Sequence, residues 1–162
     1  MGGGLVSTVR FSDAVSALAA AFQSAAPLAG VTVADGPSPT AAADQDFIIV
    51  GHDGTLDPDG ALSGVTQGGT LTQQWLDFPA VREETGLIHC VAVSQIGDGG
   101  DLPGRRARAQ ALMQACENAA AAAGIVSGLQ FDGTQDAVVV YRQGGQGCAV
   151  VIAFTVAYST GW

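Results

Sequence analysis

Apolar residues recur at spacings of four, three and four through Phe11, Val15, Leu18 and Phe22, the mark of one buried helical face. This predicts a helix over about residues 11–25, with Ser12 or Asp13 able to cap its start and Pro27 and Gly30 ending it. Val31-Thr32-Val33 reads as a short strand closed by Gly36-Pro37, and Phe47 to Val50 as a second that stops at Gly51-His52-Asp53-Gly54. Residues 53–69 hold five glycines and no period, which predicts a long loop. From Thr70 to Phe78, Leu71, Gln73, Trp75 and Asp77 alternate with Thr72, Gln74, Leu76 and Phe78, a partly apolar alternation suited to a surface strand that Pro79 ends. A long strand over 82–96 follows and breaks at Gly97-Asp98-Gly99-Gly100-Asp101. The spacing of Ala109, Leu112, Cys116, Ala119 or Ala120, and Ala123 then predicts a helix over about 103–123, on the order of 30 Å long. Ala137 to Tyr141 and Cys148 to Tyr158 read as a hairpin turning through Gln143-Gly144-Gly145-Gln146-Gly147.

Helix, three strands, a long strand, helix and hairpin predict an α+β fold. Five or six strands form a mainly antiparallel sheet, a mixed arrangement staying open, with both helices packed on one face. In the last strand Cys148, Val150, Ile152, Phe154, Val156 and Tyr158 share a side suited to the helices. The other side, with Ala149, Val151, Ala153, Thr155, Ala157 and Ser159, is small and can lie against another surface. A chain of 162 residues suits a single domain over 1–162, with 1–8 as a flexible start.

Charge changes the picture more than composition does. The chain is 48% hydrophobic and 13% charged, too apolar for disorder, and its net charge is −9. It has no lysine, which excludes a P-loop, a pyridoxal-phosphate Schiff base and a Ser-Lys nucleophile. The acidic balance also argues against sequence-independent binding to phosphates. No apolar run reaches the roughly 18 residues of a membrane span, and no signal peptide is expected. Three cysteines, Cys90, Cys116 and Cys148, all fall on predicted core positions, so a reducing compartment and free buried thiols are expected.

Candidate chemistry is sparse. Asp53, Asp57 and Asp59 with Gly60 resemble part of a calcium loop, but the pattern lacks its closing Glu and contains Pro58, so a solvated acidic loop, mobile until assembly, is expected. His52 and His89 show no zinc spacing, and His89 reads as a satisfied structural residue. The glycine turn at 97–100 lacks the third glycine of a dinucleotide loop, Leu102 standing there, and its aspartates would repel phosphate. No catalytic residue, metal or cofactor is assigned. Arg105, Arg106 and Arg108 are half of the six basic residues and sit in the first turn of the second helix, where the macrodipole disfavours cations by roughly 0.3–1 kcal/mol each. Asp101 offsets part of this. The remainder points either to solvation or to pairing with a neighbouring subunit, with Glu83 and Glu84, beside Arg82, as partners. Trp75 and Trp162 are ordinary aromatics or interface anchors.

The order Gly36-Pro37, Val50-Gly51-His52-Asp53-Gly54, Gln73-x-Trp75, Arg82-Glu83-Glu84 and Ile88-x-Cys90 is similar to that of the tail terminator proteins of long-tailed bacteriophages of actinobacteria. The continuation through Gly97-Asp98-x-x-Asp101, Arg105 to Arg108, Gln143-x-x-x-Gly147 and Phe154-x-Val156 extends the resemblance over roughly residues 30–158. His52 departs from it, an aromatic being usual there. The resemblance implies a virion structural protein assembled in the host cytoplasm: a ring, of six copies, that caps the tail tube and stops its polymerisation. Its partners would be itself, tail tube protein and the head-tail connector or neck protein, with DNA passing through unbound and no membrane involved. Six copies at −9 each would carry −54, and a negative bore would let DNA slide. Two alternatives stay open: a head-closure or tail-completion protein of the same neck, and a small ligand-binding or enzymatic domain.

Overall fold

The computed structural model describes residues 10–36, 45–59, 61–76, 81–97, 100–126, 128–144 and 147–160. Its first element, α1 (Phe11–Ser24), buries Ala14, Val15, Leu18, Ala19 and Phe22, the expected stripe. Neither Ser12 nor Asp13 caps it. The helix begins two residues earlier than a Ser12 cap requires and three earlier than an Asp13 cap. Its N-cap residue is Arg10, which makes no side-chain cap bond, and Asp13 lies in the first turn, 2.9 Å from Arg10 Nε.

A 3-10 turn over Ala26–Leu28 leads to β1 (Thr32–Asp35), followed by β2 (Gln45–Val50), β3 (Gly69–Leu76) and β4 (Val81–Ile96). The second helix, α2 (Leu102–Ala123), precedes β5 (Ile125–Val126), β6 (Leu129–Gly144) and β7 (Gly147–Thr160). Six strands and the two-residue β5 make one sheet, in the order β1-β2-β4-β7-β6-β5 with β3 off this path beside β4. Among the described residues β1 and β2 are the one parallel pair and all other pairs are antiparallel, so the sheet is mixed. β4 organises it. One edge of β4 pairs with β3 through residues 81–88 and with β2 through 90–95, while the other pairs with β7 through 85–96.

Both helices lie on the same face, as the α+β reading requires. Leu18 and Phe22 of α1 and Leu112 and Cys116 of α2 share one cluster with Ile48, Ile88, Cys90, Ile152, Phe154 and Tyr158. Small residues on α2, Ala109, Ala115 and Ala120, let its axis approach the strands. All three cysteines are free and buried. Burial pushes the Cys116 thiol up to about 12 and that of Cys90 well above its ordinary value, as befits small hydrophobes.

Two parts of the pattern differ from expectation. The hairpin's first strand starts at Leu129 rather than Ala137, because register shifts at Phe131/Gly133 and Gln135/Val138 carry residues that interrupt the alternation. Asp136 takes the left-handed φ of 53° in the second shift, where an extra residue is absorbed without ending the ladder. The second difference concerns the sheet face away from the helices. It is not uniformly small and polar: Phe47, Ile49, Val91, Val93 and Val151 form a second buried cluster there.

Candidate functional site

That second cluster is covered by the loop between β2 and β3, whose described residues, 51–59 and 61–68, fold against the sheet. Both of its ends are tied to the backbone of one residue: Gly51 and His52 N–H donate to His89 O, and His89 N–H donates to Gly68 O. The chain thus leaves β2 and re-enters at β3 beside the same point on β4, giving an Ω-shaped excursion. Within it Ser63 N–H donates to Thr55 O and Asp57 N–H to Ala61 O, making a small hairpin that sets Leu62 against the apolar cluster.

Two side chains hold the loop. His52 is fully buried; its Nδ1 accepts from Gly54 N–H at 2.9 Å, which fixes the proton on Nε2, 2.8 Å from Ser63 O. Asp53 Oδ1 accepts from Thr55 N–H (2.9 Å), Thr55 Oγ1 (2.5 Å) and Thr66 Oγ1 (2.8 Å), while Oδ2 accepts from Gln67 N–H (3.3 Å). Burial raises the Asp53 pKa, but the hydrogen bonds from Thr55, Thr66 and Gln67 outweigh it and hold the carboxyl well below the usual carboxylate range. Both Asp53 oxygens are therefore occupied by the loop's own donors, and Asp59 is likewise turned onto Ala61 N–H. Gly54, at φ +88°, touches the sheet directly: a Cβ there would meet Ala153 Cβ at 2.9 Å.

The arginine cluster, read from sequence as either solvated or paired with a neighbouring subunit, has partners within its own chain. Arg108 Nε donates to Asp46 Oδ2 at 2.7 Å. Arg105 Nη1 donates to Ser94 Oγ at 3.0 Å, and Ser94 in turn donates to Asp46 Oδ1 at 2.6 Å. Asp46 and Ser94 are cross-strand neighbours on β2 and β4 beneath the start of α2. One carboxylate thus offsets the two cations crowded at a helix N-terminus, and Asp101 caps that terminus through Gly104 N–H. Arg106 lies over the Tyr141 ring, 5.9 Å from its centroid, and donates to its hydroxyl at 3.1 Å. The Arg105 Nε atom is buried with no hydrogen-bond partner among the described residues.

Glu84, expected at a subunit joint, is 1% exposed and spent inside its own chain. Its carboxylate accepts from Tyr158 OH (2.6 Å), Gln73 Nε2 (3.0 Å) and the backbone N–H of Arg10 (3.1 Å to each oxygen). An anion here faces the positive end of α1 and stands in for the missing side-chain cap. Burial, together with the Glu84 carboxylate, keeps the Tyr158 phenol above its ordinary value. Gly86, cross-strand from Tyr158, leaves the space that the ring needs. Glu83 is half-buried beside it. Trp75 and Arg82 are backbone partners on β3 and β4; their side chains and the whole of Trp162 lie outside the described residues. His89 serves the loop through its backbone, and its ring Nε2, expected to be satisfied, has no partner among the described residues.

What remains outward-facing is the rest of the sheet's second face and its β6 margin. The lower half of the second face is an open depression of about 240 Å³ lined by Thr70, Thr72, Thr85, Gly86, Leu87, Asp132, Ala157 and Tyr158. At the sheet's β6 margin Val138, Val139 and Tyr141 are 57%, 49% and 49% exposed. No helix among the described residues is long and apolar enough to cross a membrane. No protein-family model matches this chain, and no curated protein matches it significantly.

Proposed function

We propose that this chain is a virion structural protein of the tail-terminator kind, assembled in the host cytoplasm, whose copies form a ring that caps the tail tube, stops its growth and joins it to the head connector. The observation that carries the reading is the apolar margin of β6, where Val138, Val139 and Tyr141 stand in solvent on a chain whose net charge of −9 keeps copies apart elsewhere. Isolated exposed apolar residues are ordinary, but three within four positions of one strand mark a contact surface. With Arg105, Arg108 and Glu84 engaged inside the chain, the joints between copies fall on strand margins rather than on ion pairs. The contacts with tube protein and neck protein, and the passage of DNA through an acidic bore, follow from the same reading.

The direct test mixes the purified chain with polymerising tail tube protein and measures tube length by negative-stain imaging. Short tubes closed by a ring of about six copies at one end are expected of a terminator. Tubes of unchanged length, with this chain left unbound, would refute the proposal.

A further inference from the structure

Two strand margins are open, and they lie at opposite sides of the sheet. Beyond Gln130, no strand among the described residues pairs with the outer side of β6. On the far side, β3 pairs with β4 alone among the described residues. Both segments lack the usual defences of an edge. Val138–Tyr141 carries no charge and no proline, and neither does Gly69–Leu76, where Thr70, Leu71, Thr72 and Gln74 are exposed and Leu71 is 40% so.

We infer that the outer edge of β6 pairs with the outer edge of β3 in a second copy of this chain, continuing the sheet from subunit to subunit. Direction supports it. β3 is antiparallel to β4, β4 to β7 and β7 to β6, so β6 and β3 run opposite ways. Two copies set side by side in the same orientation therefore present an antiparallel pair and keep all helices in one layer. Charge supports it too: these are uncharged stretches on a molecule of net −9, so two copies meet there with least repulsion. The joint is head-to-tail, each copy using a different edge on each side, and such contacts close into rings when the rotation permits. Asp136, at the bulge, marks where the regular edge begins. The inference rests on the ring-forming reading above and names the joint that the reading requires.

The test uses three full-length proteins, wild type, Val139→Lys and Leu71→Lys, sized by multi-angle light scattering at matched concentration. Thermal melts confirm that each exposed substitution leaves the fold intact. Wild type should form a closed oligomer and each variant should be a monomer. An equimolar mixture of the variants has one intact β6 edge and one intact β3 edge, so it should give a 1:1 heterodimer and nothing larger. If Leu71→Lys still assembles while Val139→Lys does not, β6 pairs with itself and this joint is wrong. If both variants form the wild-type oligomer, the joint lies elsewhere and the ring reading survives. A monomeric wild type overturns both.

Discussion

The face of the sheet turned away from the helices is two surfaces, not one. Its upper half, built by β2, the end of β4 and the start of β7, presents Phe47, Ile49, Val91, Val93 and Val151 and is sealed by the 51–68 loop. Its lower half, built by β3, the start of β4 and the end of β7, presents Thr70, Thr72, Thr85, Leu87 and Ala157 and is open. The same strands cross both halves; only the side chains change. Where β-branched and aromatic apolar residues line the face, a connection has to fold over it, because apolar surface removed from water contributes roughly 25 cal/mol per Å². Where threonines line it, water covers it adequately and the face is left free for another use.

The contrast can be broken most forcefully at Ile49, which is fully buried. Ile49→Ala should cost about 3 kcal/mol through lost burial and a residual cavity, read as a lowered urea midpoint with unchanged slope. A cost near zero would mean that the loop does not seal this half. Gly54→Ala comes next. It places a Cβ against Ala153 in a left-handed backbone and should cost about 1–2 kcal/mol, with faster amide exchange confined to the loop.

Asp53→Asn should cost about 1 kcal/mol near neutrality, because an amide NH₂ cannot accept from Gln67 N–H as the carboxylate oxygen does. Its pH dependence follows from the lowered pKa. A carboxylate depressed in the folded state stabilises fully above its ordinary value of 3.8, and that advantage is lost as the pH falls below it towards the folded value. The stability gap between wild type and Asp53→Asn should stay constant down to about pH 5 and then shrink with further acidification. A gap that widened in acid would show that the loop's hydrogen bonds do not favour the ionised form. The smallest effect belongs to the open half: Thr72→Ala should lie within about 0.5 kcal/mol of wild type by the same urea titration. A larger loss would mean that something already packs on that surface.

Much of this was legible in the residues. The helical stripe of α1, the small-residue face of α2, the three buried thiols and the two sides of β7 follow from local periodicity, which needs no knowledge of partners. The strand over 129–136 did not, because Gly133 and Asp136 read as interruptions and are absorbed in the register shifts. The loop illustrates the harder case. Glycines and aspartates without a period predict mobility, yet His52 and Asp53 find Ser63, Thr66 and Gln67 more than ten residues away, and no local rule pairs them. The sequence did contain one signal: Phe47, Ile49, Val91 and Val93 make β2 and β4 apolar on both faces, which calls for cover on both.

The charged residues mark the boundary between the two kinds of knowledge. The chain alone showed that three arginines crowd a helix N-terminus and that solvent or an acidic partner must answer them, since macrodipole and charge balance are local properties. It could not establish whose acid answers. Asp46 lies 62 residues from Arg108, and Glu84 lies 74 from both Arg10 and Tyr158; each pair meets only because strand pairing brings its elements side by side. Composition and periodicity decide which residues need burial or a counter-charge, because those needs act over a turn or a strand. Which residue meets the need is decided by topology, because contact depends on how distant segments of the chain are stacked.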